Sequence, residues 1–116
     1  MTDRPLGSSD NLASLIAYLA ETVDSRVGGD PKDSYTARLL RKGSLHCGKK
    51  IAEEGAELAL ALAAEGRSES ASEAADLIYH MLVGLRSKGV SLDQVANALR
   101  KRQGLSGLEE KANRRV

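Results

Sequence analysis

Glu53-Glu54-Gly55-Ala56-Glu57-Leu58-Ala59-Leu60-Ala61-Leu62-Ala63-Ala64-Glu65-Gly66-Arg67-Ser68 reads as the second half of a long helix and the break that ends it. Leu, Ala and Glu favour helix, whereas Gly-Arg-Ser supplies a turn. Working upstream, Ser44 opens this helix, which is expected to run to about Glu65 with Ile51, Leu58 and Leu62 near the centre of its apolar arc. Downstream, a second helix is expected to start after Ser68 and run to about Lys88, with the stripe Ala71, Ala75, Ile78, Leu82 and Leu85 and a stop at Gly89. Folding the chain about Gly66-Arg67-Ser68 gives an antiparallel hairpin in which Glu57 lies roughly opposite Asp76 and Glu53 opposite His80.

Shorter helices flank the hairpin. Leu12, Leu15, Ile16, Leu19 and Val23 recur at helical spacing behind the cap candidate Asp10, predicting a helix over about 10–25. Val27-Gly28-Gly29-Asp30-Pro31 reads as a loop, and Ser34 as the cap of a short helix that carries Leu39 and Leu40 and stops at Gly43. Ser91-x-x-Gln94 is a capping box, opening a helix through Leu99 to about Gln103 that Gly104 ends. Residues 1–9 read as a flexible leader ahead of a single domain over 10–116, and the tail from Ser106 reads as a short helix or a mobile end. No strand pattern or repeat is evident, so the expected fold is all-α, a bundle of four to five helices.

With 116 residues, no Phe or Trp and three Tyr, the core must be built from aliphatic side chains and many Ala. Such a core is thin, and burial against a second subunit is a natural expectation. A net charge of +1 argues against a nucleic-acid binder. The single cysteine, Cys47, forms no internal disulfide and reads as a small buried side chain, since adjacent helical residues point about 100° apart and His46 makes no dyad with it. With no apolar signal segment or membrane span, a cytoplasmic protein is expected.

Glu53, Glu54, Glu57, Glu73 and Asp76 place five carboxylates within twenty-four residues. Residues three or four apart share a helix face, so Glu54 points with Glu57 and Glu73 with Asp76. Two readings compete. Glu73, Asp76 and His80 lie opposite the centre of the Ala75/Ile78/Leu82 stripe, where a solvated face belongs, and Ser70-x-x-Glu73 matches a capping box. Against that, Lys49 and Lys50 precede Glu53 and Glu54 in the less favourable order, Glu57, Glu73 and Asp76 have no base three or four residues later except His80, and small residues surround the acids. Converged carboxylates need a cation, and an all-oxygen donor set suits Mg²⁺. A di-iron centre lacks its Glu-x-x-His pairs and an EF-hand its acid series. Both the metal site and the solvated face stand on pattern alone.

The segments Lys50-Ile51-Ala52-Glu53-Glu54-Gly55-Ala56-Glu57 and Glu73-Ala74-Ala75-Asp76-Leu77-Ile78-Tyr79-His80 resemble the MazG-type all-α nucleoside triphosphate pyrophosphatases. Ser34-Tyr35-Thr36-Ala37-Arg38-Leu39-Leu40, Ser91-Leu92-Asp93-Gln94-Val95 and Ser106-Gly107-Leu108-Glu109-Glu110-Lys111-Ala112 narrow the likeness to the phosphoribosyl-ATP pyrophosphohydrolases of histidine biosynthesis, over roughly residues 12–115. That resemblance implies Mg²⁺-dependent hydrolysis of phosphoribosyl-ATP to phosphoribosyl-AMP and pyrophosphate by an intertwined homodimer. It implies metal ligands at Glu54, Glu57, Glu73 and Asp76, with Glu53 beside them as base or water-orienting group. Lys50 becomes a phosphate contact, and Tyr35, Thr36 and Arg38 become substrate contacts. His80 stands between support for the acids and a structural role, and Lys111 and Arg114 between closing over substrate and plain solvation. With no cyclohydrolase-like region ahead of it, the chain resembles the stand-alone enzyme. A house-cleaning pyrophosphatase shares the same acids, and a helical dimerisation module is the non-catalytic alternative.

Overall fold

The structure, a computed structural model, describes residues 10–103 and Arg114. The expected leader, the Gly104 stop and the tail motif with Lys111 lie outside the described residues. Within them are five helices and no strand: α1 (Leu12–Ser25), α2 (Tyr35–Lys42), α3 (Ser44–Ala64), α4 (Arg67–Lys88) and α5 (Leu92–Lys101). The all-α expectation holds.

Local chemistry sets most boundaries. Ser34 Oγ accepts the Ala37 amide to start α2, and Ser91 and Gln94 exchange side chain-to-backbone bonds at the start of α5. Gly89 closes α4 in the left-handed conformation at φ 76°, which frees the Val90 amide to reach the Leu85 carbonyl at 2.9 Å. Three expectations shift by a residue or a turn. Asn11, not Asp10, caps α1, because Asn11 Oδ1 accepts the Ser14 amide while the Ser14 hydroxyl accepts the Asn11 amide. Helix α4 begins at Arg67, where Glu69 Oε1 accepts the Gly66 amide at 3.1 Å, so the capping carboxylate is Glu69 and Glu73 is left for the interior. Helix α5 ends at Lys101.

Helices α3 and α4 form the antiparallel hairpin and share the principal interface, while α1 packs on α4 and α2 on both α3 and α4. The core is thin, as expected: Val23, Leu39, Cys47, Leu82 and Val83, with Ile16, Leu19, Leu40, Ile78, Tyr79 and Leu92 against it. Cys47 is buried and unpaired, its thiol donating to the Leu39 carbonyl. The face assigned to α4 from its apolar stripe is only half right. Leu82 is buried, but Ala71 and Ala75 are exposed, and His80, placed on the far side by the pattern, is buried. On α3, Leu62 is 69% exposed instead of central to the packing.

The hairpin closes tightest where α4 has no side chain. A Cβ on Gly84 would lie 2.8 Å from Ile51 Cδ1 and 3.7 Å from Cys47 Cβ. Gly84→Ala therefore adds helix propensity worth about 1 kcal/mol but meets an overpacking cost of about 1–3 kcal/mol. We expect net destabilisation by urea unfolding. In an Ile51→Val background, where Cδ1 is gone, the same Gly84→Ala should stabilise; equal losses in both backgrounds would show that the contact is not the source.

Candidate metal centre

Glu54 and Glu57 project from one face of α3, and Glu73 meets them from α4. Each offers a carboxylate oxygen such that all three atoms lie within 4.8 Å of one another. Glu57 thus engages Glu73, one turn earlier on α4 than the hairpin's symmetry suggests, because the turn sits at Glu65–Gly66 and not at Gly66–Ser68.

The site is electrostatically strained. Glu73 is half-buried and its Oε2 is closed off from solvent without a hydrogen-bond partner. Desolvation holds the Glu73 carboxyl above the ordinary carboxylate range, reinforced by its hydrogen bond with Glu57 and by the charges of Glu57, Asp76 and Glu54. Glu54 is raised likewise, first by desolvation, then by Glu57 and Asp76, with His80 opposing. An unpartnered buried oxygen among mutually repelling carboxylates is the arrangement a hard cation relieves. The solvated-face reading does not describe Glu54 or Glu73, both of which are partly withdrawn from water.

The other expected residues divide. Asp76 is exposed and stands outside the three-acid group, close enough for its charge to act on Glu54 and Glu73. Glu53 turns outward and pairs with Lys50 at 3.0 Å, which lowers the Glu53 pKa and raises that of Lys50. Tyr35, at the start of α2, brings its phenol to 3.4 Å from His80 Nε2. The Thr36 hydroxyl bonds that of Tyr79. Arg38 turns away and donates to the Pro31 carbonyl at 3.2 and 3.4 Å. His80 Nδ1 donates to the Asp76 carbonyl at 2.8 Å. Tyr79 was not among the expected site residues, yet its ring forms a triangle with those of Tyr35 and His80, at 6.4 and 5.0 Å. The available signal was the scarcity of aromatics: two of only three tyrosines meet here.

The chain is similar to known proteins. The family described as "Phosphoribosyl-ATP pyrophosphohydrolase" matches residues 16–103. The chain is 47% identical over 97 residues to phosphoribosyl-ATP pyrophosphatase 1 of Bradyrhizobium diazoefficiens, covering 84% of this chain and 92% of that protein. It is 46% identical over 106 residues to phosphoribosyl-ATP pyrophosphatase of Caulobacter vibrioides, covering 91% and 98%. It is 50% identical over 104 residues to the histidine biosynthesis bifunctional protein HisIE of Wolinella succinogenes, covering 90% of this chain and 45% of that protein.

A raised carboxyl pKa means that the folded chain binds protons more tightly than the unfolded chain, so this group opposes folding near neutral pH and ceases to do so as the pH falls through the raised value toward about 4.3. In EDTA, Glu73→Gln should therefore melt above the wild type at pH 7.5, with the gap closing on acidification. A gap independent of pH would contradict the strain; added divalent cation should reverse the order.

Proposed function

Because the chain belongs to the phosphoribosyl-ATP pyrophosphohydrolase family, we propose that it hydrolyses phosphoribosyl-ATP to phosphoribosyl-AMP and pyrophosphate in histidine biosynthesis. The bond between the α- and β-phosphates breaks, one product taking the hydroxyl of water and the other its remaining proton. The observation that carries the reading is the convergence of Glu54, Glu57 and Glu73 around an unpartnered buried oxygen. In this proposal those three acids and Asp76 hold Mg²⁺. Bound there, the ion supplies positive charge that offsets the triphosphate's as the anhydride breaks.

The chain's own residues have separable tasks. Lys50, kept charged by Glu53, is placed one turn before Glu54 to swing from that carboxylate onto a phosphate oxygen. Glu53, kept ionised by Lys50, then becomes free to accept a proton from water. Tyr35 and Thr36 line a cleft of about 430 Å³ together with Thr22, Arg26, Asp30 and Asp33, which would give the sugar and base room. Arg38 spends two of its donors on Pro31, and its remaining N–H groups are the ones offered to substrate.

The same reading includes a homodimer. Leu45, Leu60 and Leu62 are 90%, 64% and 69% exposed on α3, with Met81 exposed on α4, and a second copy would cover them. No described helix is long and apolar enough to cross a membrane. A reduced, unpaired Cys47 suits the cytoplasm, and a net charge of +1 offers nucleic acid no marked attraction.

Pyrophosphate release from phosphoribosyl-ATP, with ATP and dUTP in parallel, tests the proposal. We expect turnover of phosphoribosyl-ATP that EDTA abolishes and Mg²⁺ restores; preference for a plain nucleotide would move the chain to a house-cleaning role. Glu54→Gln and Asp76→Asn should each lower kcat by about 100-fold or more with the helical circular dichroism retained. Full activity in both would refute the ligand assignment. Leu60→Glu with Leu62→Glu should convert a dimer to a monomer by light scattering, and an unchanged mass would remove these two side chains from the interface.

A further inference from the structure

His80 is the one buried polar side chain among the described residues, 7% exposed. Its Nδ1 lies 2.8 Å from the Asp76 carbonyl, which has only lone pairs to offer, so the ring proton sits on Nδ1. In the neutral ring Nε2 is then bare, and the group facing it at 3.4 Å is the Tyr35 phenol. The phenol must donate. Both tyrosine rings meet the imidazole edge-on, Tyr79 at 5.0 Å and 82° and Tyr35 at 6.1 Å and 76°, and Thr36 fixes Tyr79 through its hydroxyl. The imidazole is thereby clamped against rotation.

The consequence falls on Tyr35, which is 45% exposed. With its proton turned inward to His80, its oxygen presents lone pairs outward. A nucleotide's phosphates carry no donors near neutral pH, but its ribose hydroxyls do. We propose that His80 is a positioning residue that fixes the Tyr35 hydroxyl as a hydrogen-bond acceptor, and that the group Tyr35 accepts from is a ribose hydroxyl of the nucleotide. This rests on the nucleotide-hydrolase reading above. It divides recognition: the acids and Lys50 serve the phosphates, and the Tyr35 oxygen reads the sugar.

Two measurements test it. In a double-mutant cycle on phosphoribosyl-ATP hydrolysis, Tyr35→Phe and His80→Leu should each raise KM about 2- to 10-fold, the range for one neutral hydrogen bond, with a smaller change in kcat. The double variant should be no worse than Tyr35→Phe alone. Additive losses would show that His80 acts independently of the phenol and overturn the proposal. Imidazole ¹⁵N NMR of the full chain, with His46 assigned by His46→Asn, needs no turnover. It should show His80 protonated at Nδ1 with an Nε2 resonance that moves in Tyr35→Phe. A proton on Nε2, or a resonance indifferent to Tyr35, would overturn the hydroxyl's direction. Absence of phosphoribosyl-ATP turnover in the wild type would instead overturn the hydrolase reading and the ribose contact with it, while the NMR still decides the His80–Tyr35 pair.

Discussion

The close approach of α3 and α4 is the constraint on which the rest of the molecule depends. Gly84 leaves the space that Ile51 Cδ1 enters, and Cys47 fills the groove beside it. Two long helices held this near can share a cluster of side chains at their other end only if their register is fixed, because one helical turn displaces a carboxylate by about 5.4 Å. Ile51 is about one turn before Glu54 and nearly two before Glu57 on α3, and Gly84 lies two to three turns beyond Asp76 and Glu73 on α4. The apolar lock and the acid cluster are thus parts of one interface, with the first holding the second in place.

That arrangement opposes the stability of the metal-free chain. Packing brings Glu54, Glu57 and Glu73 together and withdraws Glu73 Oε2 from water with nothing to receive it. A helix pair selected for stability alone would put an alanine at Glu73, as it does at the neighbouring Ala74 and Ala75. Conflict between local stability and a retained polar group is characteristic of functional positions. Here the conflict lies along a single line of contact, where Glu54 and Glu57 of α3 meet Glu73 of α4.

What the sequence reveals of this fold is what short-range rules control. The Gly89 stop, the Ser34 cap and the Ser91/Gln94 box depend on residues within about four positions, and each was readable. The acids too were readable as a group, because i, i+3 spacing fixes a common face. Which way that face points was not. Helix α4 carries aliphatic residues on both sides, Ala71 and Ala75 outward and Leu82 and Val83 inward, so counting alanine as core misplaces the stripe and sends His80 to the surface. Leu62 fails for a related reason, since apolar spacing does not tell which side of α3 the neighbouring helices cover, and Leu62 lies exposed. The partners of Arg38 and Glu53 depend on the Pro31 loop and on which rotamer brings Lys50 across, neither of which periodicity encodes.

In the proposed function, helix α2 is what would let one acid cluster serve a particular nucleotide. The acids of α3 and α4 would recognise only charge, and any triphosphate with its cation would satisfy them. Selectivity would then come from donors and acceptors beyond the phosphates, and in this proposal α2 supplies them at the rim. Its cap sets their position: Ser34 Oγ fixes the first turn, so Tyr35 and Thr36 leave the helix where its amides are not yet committed to the ladder. Tyr35 then reaches His80, and Thr36 reaches Tyr79, two adjacent residues of α4 within one turn of Asp76. A loop would hold these groups loosely; a capped helix tied by two hydroxyls to the strand of side chains beside the acids holds them to the same frame as the chemistry. In the proposed function, the polar groups of α2 that would read the substrate and the acids of α3 that would act on it thus meet a common neighbour, α4, through Tyr79, His80 and Glu73.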